Sequence, residues 1–381
     1  MTAGEALLDA FINANILFAG CLALWLFVRT CLRLWGLKHT FGTQLKLLNL
    51  LFVVIAGAPF IAAGYRAMQG SGIDPGLNVN LSDAVVAYYL KGGFQMDSSQ
   101  FESLILTRDN FMLSVLNADG LVAQLFIALF FTGLLIGFTR LGLAVRSLWN
   151  ILGASYAWRH IGRIKIRLSD RTLVPFSTRG IRNYYVVIPS HMLGDAAELK
   201  VAIAHELQHI RQGDLEWEIA LEAIKPLFLL NPAYHIWKRE VEHLRELSCD
   251  RHVLLRGRID VRSYCETLLS VSQKTLRDDR DFVLAVPKVS LLTADRVSLF
   301  GPKQSFLRDR IVSALDPRRT RFQSLVFLVI SAPLLAAALF ITVAIQSPGD
   351  WSHDRLMLST VVNLDRLDEI NRISTFGVLR Q

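Results

Sequence analysis

Four stretches of this chain are long and apolar enough to cross a lipid bilayer, and that constrains its fold more than any other feature. A hydrocarbon core of about 30 Å takes roughly 20 apolar residues as helix, which satisfies every backbone N–H and C=O without water. The stretches are approximately Ala10–Val28, Leu47–Ala63, Leu121–Phe138 and Leu325–Ile345. Composition agrees: 52% hydrophobic, 19% charged and a mean hydropathy of +0.36 over 381 residues is too apolar for an ordinary soluble protein. The first stretch begins with Asp9, Asn13 and Asn15 and is poor in preceding basic residues, so it reads as a retained anchor rather than a cleaved leader. Pro59 and Pro333 are expected to bend their helices, and Asn13, Asn15, Asn49 and Gln124 to hydrogen-bond neighbouring ones.

Basic residues in short connections mark the cytoplasmic side. Arg29, Arg33, Lys38 and Lys46 lie between the first two spans, and Arg140, Arg146, Arg159, Arg163, Lys165 and Arg167 follow the third. The segment after the second span is acidic instead, with Asp74, Asp83, Asp97, Glu102, Asp109 and Asp119. The expected order is two spans with a basic cytoplasmic loop (1–64), an extracytoplasmic loop (65–120), a third span (121–139), a cytoplasmic α+β domain (140–324), a fourth span (325–345) and a short extracytoplasmic tail (346–381). The N-terminus is then outside. The net charge of +8 is accounted for by faces beside anionic lipid heads, with no direct nucleic-acid partner. Cys21, Cys31, Cys249 and Cys265 form no disulfide framework and fit no Cys-based zinc spacing, and Cys249 reads as a small buried side chain.

Within the 140–324 segment, Arg163–Leu168 alternates charged and apolar residues as a half-buried strand does, and further β-rich runs follow at Leu173–Phe176 and Tyr184–Ile188. An extended polypeptide can add to the edge of such a sheet. After Pro189 the pattern becomes helical from about Ala196 to Arg211, with Gly213 as the stop. The apolar run Ile224–Leu230, closed by Asn231-Pro232, is too short to span; it rests on the membrane or covers the domain core.

The helix after Pro189 contains His205-Glu206-Leu207-Gln208-His209. Residues four apart share a helical face, so His205 and His209 can bind one Zn²⁺ ion while Glu206 faces the open position as general base. A third ligand must come from elsewhere. A second helical stretch, about His235 to Leu255, offers Glu242, His243, Glu246 and Asp250. Glu246 is the choice for the ligand, with His243 as its rival. Asp250, one turn on, is the carboxylate expected to accept the other N–H of a ligating histidine. The remaining charges of this run read as solvated. An oxyanion stabiliser is also required, and spacing does not choose among His243, His252, Arg251 and Tyr264.

HELQHIRQGD followed by LLNPAYHIWKREVEHLRELSCD resembles the signature of the BlaR/MecR-type membrane metallopeptidases. The resemblance covers about 163–320 and the surrounding spans. It rests on the HExxH helix, an aspartate at Asp214, the Asn231-Pro232 pair, the Glu246 to Asp250 element and Arg310-Ile311 before the last span. It implies a multi-pass α-helical protein of the bacterial cytoplasmic membrane carrying an inserted gluzincin-like domain. It also implies Glu246 as third zinc ligand, Asp214 beside the site, and a polypeptide substrate: a cytoplasmic transcriptional repressor, or the chain itself, cut after an outside signal. One departure stands out. The sensor-transducers carry a large penicillin-binding domain after their last span, whereas only residues 346–381 follow here, so direct β-lactam sensing is not expected. The alternatives are a housekeeping membrane peptidase of the HtpX or CAAX-protease kind and a non-catalytic signalling relative.

Overall fold

The computed structural model describes residues 3–70, 81–93, 95–277, 289–290, 304–316, 323–345 and 353–378. Asp74 and the start of the tail at 346–352 lie outside the described residues. The protein is mostly helical, with one small mixed sheet. Four of the described helices are long and apolar enough to cross a membrane: α1 (Ala3–Leu34), α2 (Phe41–Gly70), α5 (Leu121–Gly153) and α11 (Gln323–Ala344). Each coincides with an expected span, and the first three run well past it. The extension is greatest in α5, which continues unbroken through the boundary drawn at 139 as far as Gly153.

The chain divides into two compact units. The first is drawn from Met1–Leu24, Leu50–Phe130 and Ala332–Gln381. In it the acidic loop is not irregular but forms two helices, α3 (Leu81–Leu90) and α4 (Ser98–Asn117), which share an apolar core with α12 (His353–Val378) of the tail. Val86, Phe101, Leu358 and Val362 are its buried members. Arg108 of α4 ion-pairs with Asp9 and also donates to Asn13 Oδ1 (2.8 Å) and to the Ile345 carbonyl (3.0 Å).

The second unit comprises Trp25–Asn49 and Phe131–Ser331 and holds the sheet, in the order β1-β2-β4-β3-β5. Strands β1 (Tyr156–Ile161) and β2 (Ile164–Ser169) form a hairpin whose turn places Gly162 at φ +58°, a conformation that favours glycine. β4 (Tyr184–Pro189) lies parallel to β2, and β3 (Phe176–Arg179) antiparallel to β4. β5 (Val289–Ser290) pairs antiparallel with Phe176–Ser177. The run at Leu173–Phe176 therefore does not form the expected strand: Pro175 has no N–H to give a ladder, and pairing starts only at Phe176. β1, with largely exposed side chains, carries no alternation by which the sequence reveals it.

Alternate side chains of the sheet enter two cores. On one face Ile166, Val186 and Ile188 pack with α6 (Ala196–Gln212), α8 (Pro232–Leu255) and α9 (Val261–Arg277) through Val201, Ala202, Val253 and Leu268. On the other, Phe176 and Val187 meet Ala144, Leu148 and Leu152 at the end of α5. Each such fully buried Val, Leu or Phe side chain contributes about 1.5–3 kcal/mol, so the sheet is held firmly between the end of α5 and the helices that carry the HExxH motif. α7 (Asp214–Ile224) joins α6 to α8, and α10 (Gln304–Leu315) packs on α8 and α9.

Candidate metal centre

α6 starts where Asp195 accepts the backbone N–H groups of Ala197 (2.9 Å) and Glu198 (3.1 Å), and it stops at Gly213, whose φ of +73° ends the helix in the left-handed region. Between these limits His205 and His209 lie one turn apart with their Nε2 atoms 3.0 Å from each other, both fully buried. α8 begins on a matching device: Asn231 caps the Ala233 N–H at 2.9 Å and Pro232 occupies the first turn. Packed against α6, it delivers Glu246, whose oxygens are 3.4 Å from His205 Nε2 and 3.6 Å from His209 Nε2. Glu206 is fully buried on the same helix as the histidines.

The outer nitrogens fix the tautomers by hydrogen-bond logic. His209 Nδ1 donates to Asp214 at 2.7 Å. His205 Nδ1 is 2.9 Å from the Tyr264 hydroxyl, which donates in turn to Asp250 Oδ1 at 2.5 Å and so can only accept from the imidazole. Asp250 was expected to take the histidine N–H itself; it lies 3.4 Å from His205 Nδ1, and Tyr264 stands between them as the relay. Both Nε2 atoms are consequently lone-pair donors facing each other, with Glu246 beside them.

Arg310, fully buried on α10, binds both oxygens of Asp250 at 2.6 and 2.7 Å and approaches Glu246 Oε2 at 3.1 Å. Sequence reading gave it no role in the site, although its place between Leu307 and Ile311 on an apolar stripe is a signal that its charge would be buried against a partner. Burial alone would raise the Glu246 carboxyl, but Arg310 and the two imidazoles outweigh it and hold it at about 2. Glu206 has no such cation in contact. Burial pushes it up to about 7, against the opposing pull of His209 and the neighbouring Ser177 hydroxyl.

Not every candidate reaches this cluster. His243 faces α10, with Phe306 at a ring separation of 5.1 Å and Asp309 at 3.9 Å. His252 binds the Ser248 carbonyl at 2.7 Å, and Arg251 donates to the His39 carbonyl at 2.9 Å. Of the four oxyanion candidates only Tyr264 touches a histidine of the motif, and its hydroxyl is committed to the Nδ1 side. Glu242 was read with the solvated charges of its run. It belongs instead, half-buried, to an ion network with Lys238 (3.4 Å), Glu218 and Arg245, whose other members are buried because Glu218 and Glu222 of α7 turn the same face to α8.

A cation fits the arrangement. Among the described residues, both oxygens of Glu206 and Oε1 of Glu246 are buried without a hydrogen-bond partner, Glu246 Oε2 meets Arg310, and two imidazole lone pairs converge beside them. Such groups are costly to bury unless a positive centre meets them. Among the described residues, donor sets compact enough for a metal are His205, His209 and Cys249, and His205, Glu246 and Asp250, each with atoms within 4.8 Å of one another. Cys249 Sγ approaches His205 on its Nδ1 side, at 3.5 Å, away from the point where the Nε2 atoms meet.

The family model of the BlaR1 peptidase M56 matches residues 83–293, more than half of the chain. The protein belongs to the BlaR1 peptidase M56 family. Membership, the apolar helices and the buried histidine pair together make it a membrane-associated metallopeptidase. A search of curated proteins found no match. Arg310 lies beyond the matched stretch.

Proposed function

We propose that the protein is a zinc-dependent endopeptidase of the cytoplasmic membrane, with an inserted peptidase domain at about 140–324 facing the cytoplasm, that cleaves a cytoplasmic regulatory protein such as a repressor, or itself. The observation that carries this reading is the meeting of His205 Nε2, His209 Nε2 and the Glu246 carboxylate at one buried point beside Glu206. His205, His209 and Glu246 would hold the ion. Bound there, zinc would lower the pKa of a water and polarise a scissile carbonyl. Glu206 takes the water proton at its carboxylate and returns it to the leaving amine. Asp214, and Tyr264 backed by Asp250, keep each Nδ1 protonated and each Nε2 free. Arg310 keeps Glu246 ionised and in place.

A polypeptide substrate is supported by β3, which runs through Ser177 beside Glu206 and accepts an added strand in β5. The intact set His205, Glu206, His209 and Glu246 speaks against a non-catalytic relative. Comparative proteomics of cells carrying wild type or Glu206→Gln tests the reading. A cytoplasmic protein whose cut fragments vanish in the variant identifies the substrate, and retained proteolysis in Glu206→Gln overturns the assigned base.

A further inference from the structure

The apolar turn between α7 and α8, residues 225–231, does not lie over the sheet core; it packs on α5. A Cβ built on Gly137 would stand 2.8 Å from Pro226 Cβ and 2.9 Å from Pro226 Cα, and one built on Gly133 3.9 Å from Leu229. These two glycines are the notch that admits the turn, as small residues do between membrane helices. The first charge after the apolar run of α5 is Arg140, so Gly133 lies about 10 Å of helix axis inside it. On either side of the notch α5 exposes Phe131, Leu135, Ile136 and Phe138, and the turn continues that surface with Leu227 and Leu230, 42% and 54% exposed.

Backbone that leaves the helix at membrane depth must satisfy its own polar groups. The turn does so. Leu227 N–H bonds the Ile224 carbonyl (3.0 Å), Phe228 N–H that of Lys225 (3.2 Å) and Asn231 N–H that of Phe228 (3.0 Å). The His235 ring holds the Leu229 carbonyl (2.7 Å), and the Tyr234 hydroxyl donates to the Leu221 carbonyl (2.7 Å). The charges flanking the turn are neutralised in pairs, Lys225 with Glu222 at 3.3 Å and Lys238 with Glu222 and Glu218.

We infer that the α7–α8 turn is inserted into the bilayer beside α5, with Leu227 and Leu230 in contact with lipid acyl chains. The helices that carry Asp214 and Glu246 are thereby fixed at the membrane surface, which favours polypeptides presented at that surface. The inference goes beyond the peptidase reading, and its test does not depend on activity.

The test uses the full chain in phosphatidylcholine–phosphatidylglycerol vesicles, with Cys31→Ser and Cys265→Ser removing the less buried thiols. A nitroxide is attached at Leu227→Cys and its collision rates with oxygen and with a water-soluble nickel complex are compared. References are Leu135→Cys on α5 and Ile181→Cys, at a position 91% exposed. The expected oxygen-to-nickel ratio matches Leu135→Cys and exceeds that of Ile181→Cys several-fold. A ratio equal to that of Ile181→Cys overturns the inference by placing the turn in water. Low rates with both reagents overturn it too, by showing protein in place of lipid. Leu230→Cys supplies the same reading if the first variant does not fold.

Discussion

The Asp214 carboxylate receives the Nδ1–H of His209 at 2.7 Å, a pairing that exists because Gly213 reverses the chain between them. It fixes both the ring and its tautomer, leaving Nε2 free to point at the Nε2 of His205. Asp214→Asn keeps the size of the side chain and weakens the acceptor. Metal affinity is expected to fall about 10- to 100-fold, measured by competition with a chromogenic chelator.

Glu206 contacts no cation in the cluster, whereas His205 supplies one of the converging nitrogens. Glu206→Gln should therefore retain metal and lose proteolysis by at least about 10²–10⁴-fold, while His205→Ala loses both. Metal content by mass spectrometry beside peptide cleavage separates the two outcomes, and equal metal loss in both variants would contradict the assignment.

Arg310 compensates two buried carboxylates at once. Arg310→Met strands them, and breaking a buried ion pair from one side costs about 3–5 kcal/mol. A large drop in thermal stability is expected, together with weaker metal retention. Arg310→Lys, which keeps the charge but loses the two-pronged grip on Asp250, should fall between.

Acid stability depends on Glu218. Burial raises its carboxyl, but Lys238 and Arg245 outweigh burial and hold it at about 2, below the unfolded value of about 4.3. A depressed folded pKa contributes stability that is fully present above the unfolded pKa and lost as pH falls through the folded one. Between about pH 5 and pH 2 the wild type should lose stability more steeply than Glu218→Gln. Glu242, raised by burial and by the charge of Glu218, acts in the opposite sense, and Glu218→Gln relaxes part of that rise. Identical slopes in acid denaturation followed by circular dichroism would remove Glu218 from the account.

In α5, Gly137→Ala forces a methyl onto Pro226, whereas Gly142→Ala meets nothing within 4 Å. The first should destabilise by about 1–3 kcal/mol. The second should be neutral or stabilising by up to about 1 kcal/mol through helix propensity. Thermal unfolding of the two variants in parallel checks the contrast.

What was legible in the sequence follows the range of the interactions. The four long helices and the HExxH helix are local patterns, readable from apolar runs and a four-residue spacing. Glu246 and Asp250 were visible as one face of a helix, but that this face meets His205 and His209 is a tertiary fact, and Asp214 entered only through family resemblance. Tyr264 and Arg310 reach the centre from α9 and α10; the sequence offered the first only as an oxyanion candidate and the second only through the resemblance, and neither role was readable near the motif. Misplacement of the strand at Leu173–Phe176 came from counting apolar residues without the missing N–H of Pro175. The buried Glu218–Arg245 pair, at 2.6 Å, was not legible because each helix alone shows only half of it.

Arg310 has a consequence for biosynthesis. The histidines, Glu246 and Asp250 all precede it in the chain, so a nascent polypeptide possesses every donor atom before it possesses the guanidinium that steadies them. The cluster is therefore completed late in translation, just ahead of the last of the described helices long enough to cross a membrane.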